Sequence, residues 1–153
     1  TAYAVKGVHA KGPSRRLSDE WLVLQTQPMP ELGKPLVFPG SHEDIEPGTP
    51  MLVGGLIRAN ADDGLVIGLS RGSSCRAVYA TQACIVHTCN TVPGLSGAPL
   101  FAYVKAQWAF VGVHVRSMDD AEFSGATCAH PAMQVAQRSG PMNGGVYVPP
   151  PLR

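Results

Sequence analysis

Short apolar runs, separated by turn residues, dominate this chain. Most of the runs are rich in Val, Ile and Leu, and the chain between them contains turn residues such as glycine, proline and aspartate. The runs are WLVLQT (21–26), PLVF (35–38), MLVGGLI (51–57), GLVIGLS (64–70), CRAVYA (75–80), CIVHTC (84–89), APLFAYV (98–104) and WAFVGVHV (108–115). Short runs at a spacing of roughly ten residues are typical of antiparallel strands. The pattern therefore predicts an all-β domain, an antiparallel barrel or sandwich, over about residues 20–127.

The two ends of the chain do not follow this pattern. HPAMQVAQR (130–138) is the one stretch that favours a helix, and SGPMNGGVYVPPPLR (139–153) has the glycine and proline content of an extended tail. The chain begins with Thr rather than Met, which favours a processed product or a trimmed form.

Composition excludes several classes of protein. Apolar residues make up 44% and charged residues 15% of the 153 residues, as in folded globular domains. The formal charge is +1 and no basic run is present, so we expect neither nucleic-acid binding nor a membrane surface as partner. No apolar run approaches the length of about 20 residues that spans a bilayer. We also expect no cofactor.

Four cysteines leave two interpretations open. Cys75, Cys84, Cys89 and Cys128 allow one or two disulfides by three pairings, or reduced thiols in a reducing compartment. None of them has the spacing of metal ligands, so no metal site is predicted.

Candidate chemistry is concentrated in TVPGLSGAPLF (91–101). Ser96 lies between Gly94 and Gly97, and glycine permits the positive φ that a sharp turn requires. A nucleophilic serine needs exposure, amide donors for the oxyanion and a base. The turn can supply the first two, with the backbone N–H groups of Gly94 and Ser96 as the oxyanion hole. A glycine-flanked serine alone is also common in ordinary β-turns.

The surrounding residues resemble the nucleophile region of chymotrypsin-like serine proteases. The match is to the T-x-x-G-x-S-G-x-P form of glutamyl-endopeptidase-like bacterial enzymes and of several positive-strand RNA virus proteases. It is carried by Thr91, Gly94, Ser96, Gly97 and Pro99, with a later strand ending in VGVH (111–114). The resemblance covers about residues 19–127. It implies that residues 1–27 end a first barrel, that 28–138 form the C-terminal barrel with the nucleophile, and that 139–153 are the tail.

The resemblance also implies a catalytic triad in the chain order His, Asp, Ser. Asp19, before the run WLVLQ, matches the position of the family's aspartate. None of the five histidines has the expected context, so we expect the base upstream of Thr1, in an N-terminal barrel fragment that is a separate chain or absent. His9 with Asp44 is the alternative within the chain.

Specificity follows from the same resemblance. Thr91 and His114 occupy the positions that receive a P1 Glu or Gln side chain in these relatives, and a hydroxyl and an imidazole can both donate to such a group. Asn90 stands where a trypsin-type enzyme has Asp, which disfavours cleavage after Lys or Arg. The function implied is a serine endopeptidase acting on polypeptides, either a viral polyprotein protease or a bacterial secreted or periplasmic enzyme. The alternative is an inactive protease-like binding or structural subunit.

Overall fold

The computed structural model describes residues 5–11, 22–26, 37–38, 41–58, 65–118, 128 and 142–148. Apart from a short 3-10 helix at His42–Asp44, the regular elements there are β-strands. They are β1 (Val5–Lys11), β2 (Leu22–Thr26), β3 (Met51–Arg58), β4 (Leu65–Ser70), β5 (Ala77–Ala80), β6 (Cys84–His87), β7 (Pro99–Val104), β8 (Gln107–Ser117) and β9 (Asn143–Tyr147). The prediction of an all-β fold is confirmed.

Alternation along the strands explains why these runs form a sheet around a core. In β7, Leu100, Ala102 and Val104 are buried while Tyr103 between them is exposed. Successive side chains of a strand point to opposite faces, so this pattern gives one face to the core and one to solvent. Strand β6 differs, because all four of its residues are buried and both of its faces are therefore covered.

Seven of the strands form one antiparallel sheet in the order β4-β3-β7-β8-β9-β6-β5. The sheet curls until β5 reaches the start of β3, where Pro50 and Arg76 form an isolated antiparallel bridge. The amide of Met51 donates to the carbonyl of Cys75 (2.9 Å) and that of Ala77 to Thr49 (2.9 Å). Strands β3, β7, β8, β9, β6 and β5 thus surround a common interior. Strands β1 and β2 pair separately as a two-stranded sheet.

Two apolar clusters lie on the two faces of β6. Ile85 belongs to the larger cluster, which includes Val53, Leu100 and Val111 of the other barrel strands. Val86 faces the smaller cluster, with Tyr79, Cys84, Met118, Cys128, Met142 and Val146. His87 follows the alternation of Ile85, and its side chain is fully buried.

The predicted C-terminal tail is wrong for part of its length. Asn143–Tyr147 form β9, which pairs with β6 on one side and β8 on the other and lies inside the barrel sheet. The segment is rich in glycine, as a linker is, but Gly145 is required here: a Cβ atom at this position would lie 2.6 Å from the carbonyl oxygen of Val113. The seven-stranded sheet therefore includes residues beyond 138.

The predictions for the individual strands and for the helix can be compared with the structure segment by segment. The runs from residue 51 to 115 each correspond to a strand within one or two residues of the predicted bounds. Val37 and Phe38 carry no assigned strand, although the amide of Phe110 donates to the carbonyl of Val37 (2.7 Å). The helix predicted at residues 130–138 lies outside the described residues.

Candidate active site

Two consecutive β-turns present Ser96 to solvent. The amide of Leu95 donates to the carbonyl of Val92 (3.2 Å), and that of Ala98 donates to Leu95 (2.9 Å). Gly94 and Gly97 hold the third position of each turn with φ of 98° and 86°, a region that disfavours other residues. Leu95, shared by the two turns, is buried in the larger apolar cluster. The segment Val92–Ala98, called the serine turn below, is thus anchored at its centre while Ser96 stays exposed.

Strand β8 is joined to the serine turn by two backbone hydrogen bonds. The amide of Gly97 donates to the carbonyl of His114 (2.7 Å), and the amide of His114 donates to Ala98 (2.8 Å). Pairing of β8 with β9 then shifts register between His114 and Arg116, which is a β-bulge at Val115. The carbonyl of Val115 accepts a hydrogen bond from the hydroxyl of Ser96 (2.8 Å). The bulge therefore fixes the side chain of Ser96 in this structure.

The amides that sequence reasoning assigned to an oxyanion hole are available. Within the described part of the chain, neither the N–H of Gly94 nor that of Ser96 donates to another group. Both residues are exposed, and they lie two positions apart on the same turn. The serine turn thus offers two solvent-facing donors beside the hydroxyl.

A cavity of about 460 Å³ opens next to Ser96. Thr91, His114 and Ser96 all line it, together with Asn143 of β9. The residues that were predicted as nucleophile and specificity pocket are therefore brought together around one cavity.

Asn143 is a cavity residue that sequence reasoning missed. Its side-chain oxygen accepts a hydrogen bond from the hydroxyl of Thr91 (2.9 Å), and its side-chain amide donates to the carbonyl of Cys89 (2.9 Å). It was missed because residues 139–153 were interpreted as a tail. The signal that could have found it is GVYV (145–148), a β-branched and aromatic run directly after a turn-forming Asn-Gly.

Both histidines near the cavity are uncharged at neutral pH. Burial lowers the pKa of His114, and a backbone hydrogen bond with Gly144 acts in the opposite direction with less effect. Burial lowers the pKa of His87 to about 3, and the charge of His114 adds to this shift. An uncharged imidazole in the cavity wall recognises a ligand by hydrogen bonding rather than by charge. Arg116 also lines the cavity and carries a permanent charge.

Two disulfides surround this region and resolve the alternative that the sequence left open. Cys75 pairs with Cys89, and Cys84 pairs with Cys128, so that all four cysteines are oxidised. Cys89 stands two residues before Thr91, and its carbonyl is the one that holds Asn143. A cross-link reduces the conformational freedom of the unfolded chain, and here it also fixes one wall of the cavity.

Of the remaining triad candidates, only Asp44 has a described side chain, and it does not reach Ser96. Asp19 lies outside the described residues. Asp44 caps the 3-10 helix through the amide of Ser41 and forms an ion pair with Lys105 (2.8 Å) after the far end of β7. A six-residue strand is about 17 Å long, so β7 separates Asp44 from the serine turn. His9 belongs to β1, and the hydroxyl of Ser96 donates to the carbonyl of Val115 rather than to an imidazole.

Comparison of the chain with protein-family models, with curated proteins and with solved structures finds no match. In the described segments, no three His, Cys, Asp or Glu side chains are grouped so as to hold a metal ion. No helix in those segments has the length and apolar character needed to cross a membrane.

Proposed function

We propose that this protein is a serine endopeptidase that hydrolyses peptide bonds through an acyl-enzyme on Ser96. The observation that carries the proposal is the serine turn itself. It exposes one hydroxyl beside two unengaged amides and opens on a cavity whose walls include Thr91 and His114. An ordinary surface turn has no need of this combination. The antiparallel barrel is also the architecture that the resemblance to chymotrypsin-like proteases implies.

The reaction uses each of these groups in turn. The oxygen of Ser96 leaves the carbonyl of Val115 and attacks the scissile carbonyl, while a base accepts its proton. Negative charge then develops on the carbonyl oxygen, where the amides of Gly94 and Ser96 donate to it. The amine leaves with a proton from the same base, and water hydrolyses the ester. The base is a histidine oriented by Asp19 and supplied from outside this chain.

The cavity receives the P1 side chain, and we propose Glu or Gln there. His114 and Asn143 can donate hydrogen bonds to a carboxylate or amide oxygen. The hydroxyl of Thr91 already donates to Asn143 and therefore offers its oxygen as an acceptor. No acidic side chain is among the residues lining the cavity, so the described wall has no counter-charge for P1 Lys or Arg.

Labelling with a fluorophosphonate probe tests the nucleophile. We expect the probe to modify Ser96 when an N-terminal barrel segment carrying the base is added, and Ser96→Ala to lose the label. Ser73→Ala, an exposed serine in the loop between β4 and β5, is the matched control and should label normally. Absence of label with and without the added segment would contradict the proposal.

A peptide library tests the pocket. We expect cleavage after Glu or Gln. We expect Thr91→Val to raise KM for P1 Gln about tenfold with kcat little changed, because it removes the hydroxyl oxygen that accepts a hydrogen bond from the Gln amide. Predominant cleavage after Lys or after aromatic residues would overturn the pocket assignment while leaving the nucleophile untouched.

A protease-like binding subunit without activity is the second candidate. The observation that favours it is the hydrogen bond from Ser96 to Val115, which places the hydroxyl on a backbone carbonyl rather than on a base. This candidate predicts that peptides with Glu or Gln bind without being cleaved, and that Ser96→Ala leaves their affinity unchanged.

A further inference from the structure

His87 is a buried polar side chain that the proposed reaction does not use. It is fully buried, and neither of its ring nitrogens has a hydrogen-bond partner. Nδ1 of His114 is likewise buried without a partner. No other buried side-chain nitrogen or oxygen of the described residues lacks one. Leaving a buried polar group unpaired costs about 1–3 kcal/mol, so three such atoms in one place call for a physical reason.

The two imidazoles are neighbours across β9. Their ring centroids are 5.4 Å apart and their planes are inclined by 69°. Strand β9 lies between β6, which carries His87, and β8, which carries His114. The register pairs His114 with Gly145 and His87 with Asn143, and Gly145 places no side chain beside the ring of His114.

The separation of the two rings allows a hydrogen bond between them when a nitrogen of each ring points towards the other ring. A ring nitrogen lies about 1.1 Å from its centroid, so centroids at this distance allow an N–N separation of about 3 Å, within hydrogen-bond range. Which ring atoms are nitrogen and which carry hydrogen is assigned from such networks. The pair can therefore satisfy two of its three unpaired nitrogens by itself.

We propose that His87 is a positioning residue for the cavity: its N–H donates to Nδ1 of His114 and holds the proton of His114 on Nε2. With Nδ1 occupied in this way, the proton of His114 lies on Nε2, the nitrogen that remains for the backbone hydrogen bond with Gly144. Nε2–H is then the donor that turns from this carbonyl to a ligand in the cavity. An acceptor oxygen, as in a Glu or Gln side chain, is the matching ligand. Burial keeps both rings uncharged at neutral pH, which the bond between them requires.

Nitrogen NMR of the imidazoles tests the pair in the protein without any substrate. Long-range ¹H–¹⁵N spectra at neutral pH distinguish the two tautomers of His114, and we expect the Nε2–H form. His87→Leu should abolish this preference, whereas His87→Gln keeps a donor and should retain it. Val86→Ala is the matched control, because Val86 is buried in the same strand but faces the other cluster.

Two results would overturn the proposal. One is an Nδ1–H tautomer of His114 in the unmodified protein, which remains measurable even where His87→Leu does not fold. The other is an unchanged Nε2–H tautomer in His87→Leu. The link to a Glu or Gln ligand rests on the proposed function, and there His87→Leu should raise KM about tenfold at constant kcat. Loss of all peptidase activity would reject the proposed function but not the tautomer assignment, which the spectra read separately.

Discussion

The turns at the two ends of β7 both contain residues with positive φ, but they differ in the contacts of their polar groups. Before the strand lies the serine turn, with Gly94 and Gly97 at positive φ. After it lies the β7–β8 hairpin, where Lys105 and Ala106 have φ of 50° and 61°. Both turns are exposed, and both need a backbone region that most residues avoid. Positive φ therefore does not distinguish a functional turn from a structural one.

The two turns differ in whether the polar groups around them are paired. At the β7–β8 hairpin, Lys105 is paired with Asp44, and Tyr103 and Trp108 pack edge to face with centroids 5.4 Å apart. At the serine turn, two amides are unengaged and the chain opens on a cavity. Side chains at one end of the strand are paired with each other, and the other end has two backbone donors without a partner among the described residues. Unsatisfied donors next to a concave surface are thus the more informative sign of a site.

Low pH should have the largest effect on the free energy of unfolding. This effect should arise at the serine-turn end of β7, because the buried imidazoles lie near that turn. An unfolded histidine binds a proton below about pH 6.5, whereas folded His87 does so only near pH 3. The contribution of His87 to the free energy of unfolding is therefore fully retained above pH 6.5 and falls below it by about 1.4 kcal/mol per pH unit. Urea titrations from pH 7 to 5 should show a slope that is smaller by about this amount in His87→Leu. An equal slope in that variant would show that His87 is not buried as a neutral group.

Exchange of residues at the two turns should give effects of opposite sign. Gly97→Ala should lower the free energy of unfolding by about 1–2 kcal/mol, since its φ is 86° although no atom would touch the added methyl group. Ala106→Gly should raise it by up to about 1 kcal/mol, because it relieves the same backbone cost at the β7–β8 hairpin. Thermal unfolding of the two variants measures both. Destabilisation by Ala106→Gly would contradict the equivalence of the two turns.

Removal of the ion pair should have the smallest effect. Lys105→Ala should cost less than about 1 kcal/mol, because the lysine is largely exposed and its attraction to Asp44 is screened by solvent and salt. We expect the difference from the unmodified protein to shrink as NaCl is raised to about 1 M. Fluorophosphonate labelling should be the same in this variant. A loss of labelling would show that the far end of β7 does communicate with the serine turn.

The sequence was sufficient for those features that depend on neighbouring residues. Alternation of apolar and polar positions located β3 to β8, and the glycines around Ser96 indicated its turn. Strand β9 escaped prediction because Gly144 and Gly145 have the composition of a linker, although Gly145 is needed for the close approach to Val113 of β8. The composition of a segment does not predict which strands it will pair with.

Contacts between distant parts of the chain could not be predicted from neighbouring residues. The cysteine pairing was one of several alternatives, and only the fold selects Cys75 with Cys89 and Cys84 with Cys128. The contact of Asn143 with Thr91 and that of His87 with His114 also join strands far apart in sequence. Both depend on the position of β9, so a single missed strand concealed the cavity wall and the imidazole pair together.

The central position of β9 determines when the cavity next to Ser96 can form during synthesis of the chain. A ribosome completes the serine turn well before it adds Asn143, yet the turn acquires its cavity wall only when β9 inserts between β6 and β8. Nascent chains that contain Ser96 but not yet Asn143 therefore lack this wall of the cavity. The order of synthesis completes the cavity only after the serine turn has been made.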